Sequence, residues 1–383
     1  MPSARNSVVI PFIALLVAAC SGSGQGSPPT GTPVATSIAA GWYHTCAIVN
    51  GGALCWGLNR HGQLGNDSSI VESYEPVQVS GLTTGLQVIA AGDQHTCAVV
   101  NGGAWCWGDN NSGKLGDGST TDSSVPVQVS GLTSGVTDIA AGSYGHSCAV
   151  VNGGAQCWGV NSAGELGDGS TASSSVPVQV SGLTSGVGAI AAGEEYTCAI
   201  VDGGLRCWGF NNRGQLGNNS TTSTSVPVQV AGLTSGITAV SAGAALTCAI
   251  VNGGAQCWGG NSYGQLGDGS TTDSSAPVQV SGLTSGVTAI AAGVAHACAI
   301  VNGGAWCWGD NSSGQLGNGS TTDSSVPVQV YGLTSGVTAI AAGDYHDCAI
   351  VNGTVWCWGD NAYGNLGNGT AVSSSVPVQV TGL

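Results

Sequence analysis

Apolar positions in this chain come in short bursts separated by turn formers, and from residue 38 onward they show no helical spacing. The stretch 281–330 sets the pattern: SGLTSGVTAI AAGVAHACAI VNGGAWCWGD NSSGQLGNGS TTDSSVPVQV. Val287 to Ala292 is apolar, ends in Ala-Ala-Gly, and predicts a first strand. Ala297 to Val301 and Gly304 to Trp308 predict a second and a third. Asn302-Gly303 joins those two, and Asn-Gly is the strongest two-residue hairpin signal because both residues tolerate positive φ. A dozen turn formers follow, and then Val326 to Val330 predicts a fourth strand. Its Pro327 donates no ladder hydrogen bond and so suits a sheet edge.

This unit recurs every 50–51 residues. Cys-Trp-Gly begins at Cys55, Cys106, Cys157, Cys207, Cys257, Cys307 and Cys357. Pro-Val-Gln-Val begins at Pro76, Pro126, Pro177, Pro227, Pro277, Pro327 and Pro377. Seven units of four strands predict an all-β, seven-bladed propeller of four-stranded blades. Blades pack on both faces, which fits continuous apolar runs such as Cys-Ala-Ile-Val. The small residues of Ala-Ala-Gly suit the crowded strand nearest the axis. The Trp after each second Cys is expected to pack between blades.

Composition agrees: 66 glycines and only 7% charged residues leave little material for surface helices. The five cations are Arg5, Arg60, Lys114, Arg206 and Arg213, against 20 acidic residues. A nucleic-acid partner is excluded, because no face could neutralise a run of phosphates. The acidic balance favours a cationic partner or simple solubility.

The first residues read as an address. Val8 to Ala19 is apolar but too short to span a bilayer, and it ends in Val17-Ala18-Ala19-Cys20. That ending resembles the lipobox of bacterial lipoproteins, which implies export, cleavage before Cys20 and a covalent lipid on Cys20. A plain cleaved signal peptide is the alternative. Residues 1–19 are thus read as a lipoprotein signal peptide, 20–37 as the lipidated Cys with a Gly/Ser/Pro tether, and 38–383 as the propeller. Residues 21–33 cannot bury a core and span roughly 20 Å as a flexible chain. The expected location is the bacterial cell envelope, lipid-anchored and extracytoplasmic, with the membrane touched only through the lipid. Ser21 after the Cys leans toward an outer membrane or cell surface.

The run Ala-Gly-x-x-His-x-Cys-Ala-Ile-Val-x-Gly-Gly-x-x-x-Trp-Gly-x-Asn-x-x-Gly-Gln-Leu-Gly, followed by Pro-Val-x-Val, resembles the regulator of chromosome condensation repeat. The resemblance covers residues 38–383 and implies a seven-bladed propeller. The chain starts and ends on whole units, so the ring is expected to close without strand exchange between the termini.

Beyond Cys20 there are fourteen cysteines in seven pairs spaced i, i+9. Counting outward from the turn at Asn50-Gly51, Cys46 falls opposite Cys55 at a non-hydrogen-bonded position, where side chains come closest. The same count pairs Cys97 with Cys106, Cys148 with Cys157 and Cys198 with Cys207. It also pairs Cys248 with Cys257, Cys298 with Cys307 and Cys348 with Cys357. Zinc fits less well, since structural sites use closer cysteines and four ligands. Export also favours disulfides. The spacing lacks C-x-x-C, which argues against a redox role.

His44, His95, His146, His296 and His346 share one place in the unit, where Tyr196 and Leu246 stand in the other two. A catalytic residue needs no five copies and a metal ring would not accept Leu, so structural histidines are expected. The oxygen-rich loops from Asp109-Asn110 to Asp117 and from Asp310-Asn311 to Asn318 loosely resemble calcium loops. They lack the EF-hand spacing and its closing Glu, so Asx turns explain them and no cofactor or metal is expected. No triad, phosphate loop or distinctive carboxylate pair is present, which disfavours an enzyme.

The copies differ most in the loop after each Ala-Gly. It carries Trp42-Tyr43, Asp93-Gln94, Ser143-Tyr144, Glu194-Glu195, Ala244-Ala245, Val294-Ala295 and Asp344-Tyr345. By symmetry these loops share one end of the propeller and form an acidic, aromatic ring. The candidate binding residues are Trp42, Tyr43, Asp93, Gln94, Tyr144, Glu194, Glu195, Asp344 and Tyr345. A second variable place lies at Arg60-His61, Ser112, Ala163, Arg213, Tyr263, Ser313 and Tyr363.

The expected function is a non-enzymatic binding module, monomeric, that engages a protein or a surface glycan by one propeller face. Secreted propellers of the resembled family include inhibitors of β-lactamase, which gives an enzyme inhibitor as the alternative. Guanine-nucleotide exchange on a small GTPase, the family's best-known activity, is disfavoured because export separates the chain from such a partner.

Overall fold

The computed structural model describes residues 33–383. Cys20, the signal segment and most of the tether lie outside the described residues. The first blade consists of β1 (Ala35–Ala40), β2 (His44–Val49), β3 (Gly52–Leu58) and β4 (Glu72–Gln78), hydrogen-bonded in that order as one antiparallel sheet. Six more blades repeat it over 86–128, 136–179, 187–229, 237–279, 287–329 and 337–379. Ala35, Thr36 and Ser37, assigned above to the tether, form the start of β1.

The hairpin register follows the Asn-Gly turn as expected. Asn50 and Gly51 have φ of 51° and 80°, and Cys46 pairs with Cys55, Ala47 with Leu54 and Ile48 with Ala53. All seven predicted disulfides are formed, with Cα–Cα distances of 4.0–4.1 Å. The fourth strand differs from its expected bounds. In the sixth blade it runs Ser324–Gln329, because Ser324 pairs with Gly309 across a bulge while Val328 pairs with Cys307. Two polar serines begin the strand, so a reading by apolar content starts it too late.

There is no single core. Seven apolar clusters each join two neighbouring blades. Each repeated Trp is fully buried in one of them. It also donates its Nε1–H to a backbone carbonyl of the preceding blade, as Trp107 does to Gln63 at 2.9 Å. Burying such a side chain stabilises by roughly 2–3 kcal/mol.

The ring closes with the same contacts. Trp56 of the first blade donates to the Asn365 carbonyl of the last at 2.9 Å. One apolar cluster combines Ala35, Ile38 and Trp56 with Ile350, Leu366 and Val380. Every blade is built from four consecutive strands, so closure uses no exchanged strand. Around the axis, Gly41, Gly92, Gly142, Gly193, Gly243, Gly293 and Gly343 approach one another so closely that a Cβ on each would overlap the next one's carbonyl oxygen. The Ala-Ala-Gly strands are therefore innermost, and a side chain at those glycines would push the blades apart.

The histidines form a buried girdle that crosses each blade boundary. His44 Nε2 lies 2.9 Å from Thr96 Oγ1, His95 2.9 Å from Ser147 Oγ, His146 3.0 Å from Thr197 Oγ1 and His346 2.7 Å from Thr45 Oγ1. Each hydroxyl donates onward to a backbone carbonyl, as Thr96 does to Gln63 at 2.9 Å. The hydroxyl proton is thus committed, and the Nε2–H of a neutral imidazole must donate to the hydroxyl. Each Nδ1 is buried without a partner. Burial accordingly lowers these pKa values, to about 4 for His44 and His146 and about 3 for His346.

The two exceptions are informative. Tyr196 keeps a polar link across the boundary: its hydroxyl lies 2.9 Å from Thr247 Oγ1 and donates to the Leu246 carbonyl at 2.6 Å. Where Leu246 removes the donor, the facing residue is Ala297, so the acceptor is gone too and both join one apolar cluster. His346→Leu or Thr45→Ala alone is expected to cost about 1–3 kcal/mol, because the first removes a buried hydrogen bond and the second leaves the His346 Nε2–H without an acceptor. The double variant is expected to recover at least half of the summed loss. A denaturation cycle checks this, and additive losses would mean the pair is not coupled.

Candidate functional site

The chain runs up the first strand of each blade, turns over the loop after Ala-Gly, and returns along the second. This geometry puts all seven variable loops at one end of the axis, as expected. It also divides each loop. The first residue faces the axis, and one residue from every blade lines a cavity of about 380 Å³: Trp42, Asp93, Ser143, Glu194, Ala244, Val294 and Asp344. Tyr144 and Tyr345 complete its wall.

Tyr43, Gln94 and Glu195, the second residues of three other loops, lie outside this lining. Tyr43 leaves the axis and packs edge-on against Tyr363 with centroids 4.8 Å apart. It also stacks on Trp42 at 4.9 Å and on Tyr345 at 6.3 Å. Arg60 lies 5.8 Å from the Tyr363 ring centre. Gln94 and Glu195 face two separate grooves between blades, the second of which also holds Phe210. The expected nine-residue ring therefore resolves into an axial group (Trp42, Asp93, Tyr144, Glu194, Asp344, Tyr345) and a peripheral group (Tyr43, Gln94, Glu195). Tyr363 and Arg60 join the aromatic strip from the second variable place. Their variability was legible in the sequence, but their neighbour across the ring closure was not.

The electrostatics of the axial group are one-sided. Burial pushes Asp344 up to about 7, and the Asp93 and Glu194 carboxylates add to the rise. Burial pushes Asp93 to about 7 as well, against the pull of Lys114. Lys114 is itself buried and committed to Asp109. Asp138, on an inner strand, is raised to about 6 by burial although it accepts from the Ile139 and Ile190 backbone N–H groups at 3.0 Å.

The oxygen-rich loops spend their oxygens internally. Asn110 Oδ1 accepts from the Leu115 N–H at 3.0 Å, and Asp117 accepts from the Ser119 N–H and hydroxyl at 2.9 and 3.0 Å. Gln315 donates to Asp310 at 2.7 Å. His61, Asp109 and Asp122 come together at the mouth of one loop, where the Lys114 ammonium already neutralises Asp109. His296 and Asp347 form a fully buried pair at 3.0 Å between the last two blades. Burial opposes the imidazolium there, but Asp347 outweighs it and His296 is raised overall.

Among known proteins, the repeat profile described as "Regulator of chromosome condensation (RCC1) repeat" matches residues 50–99, 101–150, 152–200, 202–250, 252–300, 302–350 and 352–383. Each full match takes the third and fourth strands of one blade and the first two of the next, half a blade out of step with the structural unit. A second profile of the same description matches 35–63 and 287–315. The human E3 ubiquitin-protein ligase HERC2 is 45% identical over 87 residues, 21% of this chain and 2% of that protein. The Arabidopsis thaliana ultraviolet-B receptor UVR8 is 32% identical over 151 residues, 37% of this chain and 33% of that protein. The chain thus spans a third or less of both relatives. Prp20p from Saccharomyces cerevisiae superimposes with a TM-score of 0.74 at 21% identity, over 91% of this chain and 87% of that one, which establishes the shared fold. Profile matches that run almost end to end through seven closed blades make this chain a member of the regulator of chromosome condensation (RCC1) repeat family.

Proposed function

We propose that the protein is a non-enzymatic binding module that holds a protein partner against the loop face around the axial cavity. The observation that carries this reading is the convergence of one variable residue from each of seven blades on a single cavity. The scaffold beneath is rigid and repetitive, the arrangement in which loops carry recognition. The aromatic strip of Trp42, Tyr43, Tyr345 and Tyr363 offers large anchors of the kind that dominate interfaces. Family members that bind proteins support the reading by analogy: the structure of Prp20p is described with its binding to Gsp1p and histones. The same strip favours a second reading, inhibition of a secreted enzyme such as a β-lactamase. We further propose that a lipid on Cys20 displays the propeller on a bacterial cell envelope, as the Val17-Ala18-Ala19-Cys20 run suggests.

The test has two arms. Capture from envelope and culture extracts compares the wild-type chain with Trp42→Ala/Tyr144→Ala/Tyr345→Ala. A partner held by the wild type and lost by the variant is the expected result, and equal capture by both overturns this face. Fractionation of cells that express Cys20→Ala is expected to move the protein from the membrane pellet to the soluble fraction. Retention in the pellet would remove the lipid anchor.

A further inference from the structure

We infer that the axial cavity receives one organic cation, the guanidinium or ammonium head of an Arg or Lys side chain that a protein partner inserts along the propeller axis. The inference rests on the docking face proposed above and names the chemistry at its centre.

Four observations carry it. First, Asp93, Glu194 and Asp344 reach the same cavity from three blades, and among the described residues no Lys or Arg shares its lining. Lys114 lines the adjoining groove with Asp93 and Tyr144, and it is held by Asp109. Second, an acceptor there is left without a partner. Asp93, on the cavity wall, has its Oδ1 buried with no hydrogen bond. A buried acceptor without a donor is costly, and an entering N–H group would satisfy it. Third, the walls are aromatic. Trp42, Tyr144 and Tyr345 line the same space as the acids, and ring faces attract a desolvated cation. Fourth, the acids are too far apart to hold a bare ion. Among the described residues, the only trios of potential ligand atoms within 4.8 Å of one another lie elsewhere, at His296/Cys298/Asp347 and His61/Asp109/Asp122. A metal ion needs several oxygens at short range, whereas a branched or multiply protonated nitrogen head can bridge separated carboxylates. A volume of about 380 Å³ also suits a side chain better than an ion. The upward shifts of Asp93 and Asp344 agree: burial raises both, and the pull of Lys114 on Asp93 and of His296 on Asp344 does not offset it.

The experiment uses the full mature chain and calorimetric titration. The probes are the peptide acetyl-Gly-Gly-Arg-Gly-Gly-amide, its citrulline counterpart of equal shape and no charge, and tetramethylammonium. Saturable binding of the arginine peptide with at least tenfold weaker binding of the citrulline peptide is expected. Asp93→Asn/Glu194→Gln/Asp344→Asn should weaken the arginine peptide tenfold or more while the circular dichroism spectrum stays unchanged. Equal binding of both peptides, or no saturation by the arginine peptide, overturns the cation pocket. Tighter binding of tetramethylammonium than of the arginine peptide overturns the partner side chain as its source. The two proposals fail separately. If the captured partner is lost with the aromatic variant but kept by the carboxamide variant, the docking face stands and the cation falls. If neither variant changes capture, the docking face falls as well.

Discussion

Removal of one disulfide by Cys298→Ala/Cys307→Ala is expected to lower the unfolding free energy by about 3 kcal/mol, read from the midpoint of a denaturant titration. The bond closes a loop with a sequence separation of 9. In the chain-entropy model a loop of that size is worth roughly 2.7 kcal/mol, and the lost sulfur packing adds to it. Both sulfurs are completely buried in the cluster between the last two blades. That burial predicts a second behaviour: in native buffer the protein should resist dithiothreitol, and reduction should begin only where denaturant opens the hairpins. The seven bonds lie in separate blades, so full reduction should abolish folding rather than lower its midpoint. A reduced chain that keeps its native near-ultraviolet circular dichroism would show that the blade contacts suffice, and would sink this account.

Much of this architecture was legible because the repeat writes each rule seven times. The Asn-Gly turn fixes a register, the register fixes Cys opposite Cys, and the small residues of Ala-Ala-Gly leave only one place for that strand. Relations between blades were less legible. Leu246 reads in the sequence as a lapse from His, and Ala297 as nothing at all. Only the placement of Leu246 beside the following blade makes them one substitution. The candidate ring behaves the same way. Sequence symmetry puts Asp93-Gln94 and Glu194-Glu195 in equivalent loops, but gives no sign that the first residue faces the axis and the second a groove. Tyr363 lies 320 residues from Tyr43 in the chain, and only ring closure makes them neighbours.

The axial acids carry the other large expected effect. Asp93→Asn/Asp344→Asn is expected to make the free protein more stable at pH 8 by at least about 2 kcal/mol and to leave it almost unchanged at pH 3.5. The sign follows from the direction of the shifts. Both carboxyls rise from an ordinary 3.8 to about 7, so the folded state holds their protons more tightly than the unfolded state. Their contribution is fully present below pH 4 and is lost progressively as the pH climbs to 7, above which it is flat. A rise of that size corresponds to roughly 4 kcal/mol for a fully buried group, and the partial exposure of Asp93 reduces the sum. The groups that set the field are Lys114, Asp109, His61 and Gln94 around Asp93, and Asp93, Glu194 and His296 around Asp344. The girdle histidines act in the opposite sense, because an unfolded imidazole takes up protons below pH 6.5 that the folded one refuses. Both proteins carry that girdle, so the difference between them isolates the two acids. Denaturant midpoints from pH 3.5 to 8 supply the measurement. A gap that opens between pH 4 and 7 and then levels would mean that the protein gives up stability to keep two buried carboxyls at this site, a cost that an arriving cation would offset. A gap that stays constant across that range would mean that the carboxyls are solvated and that an entering cation would meet no buried charge there.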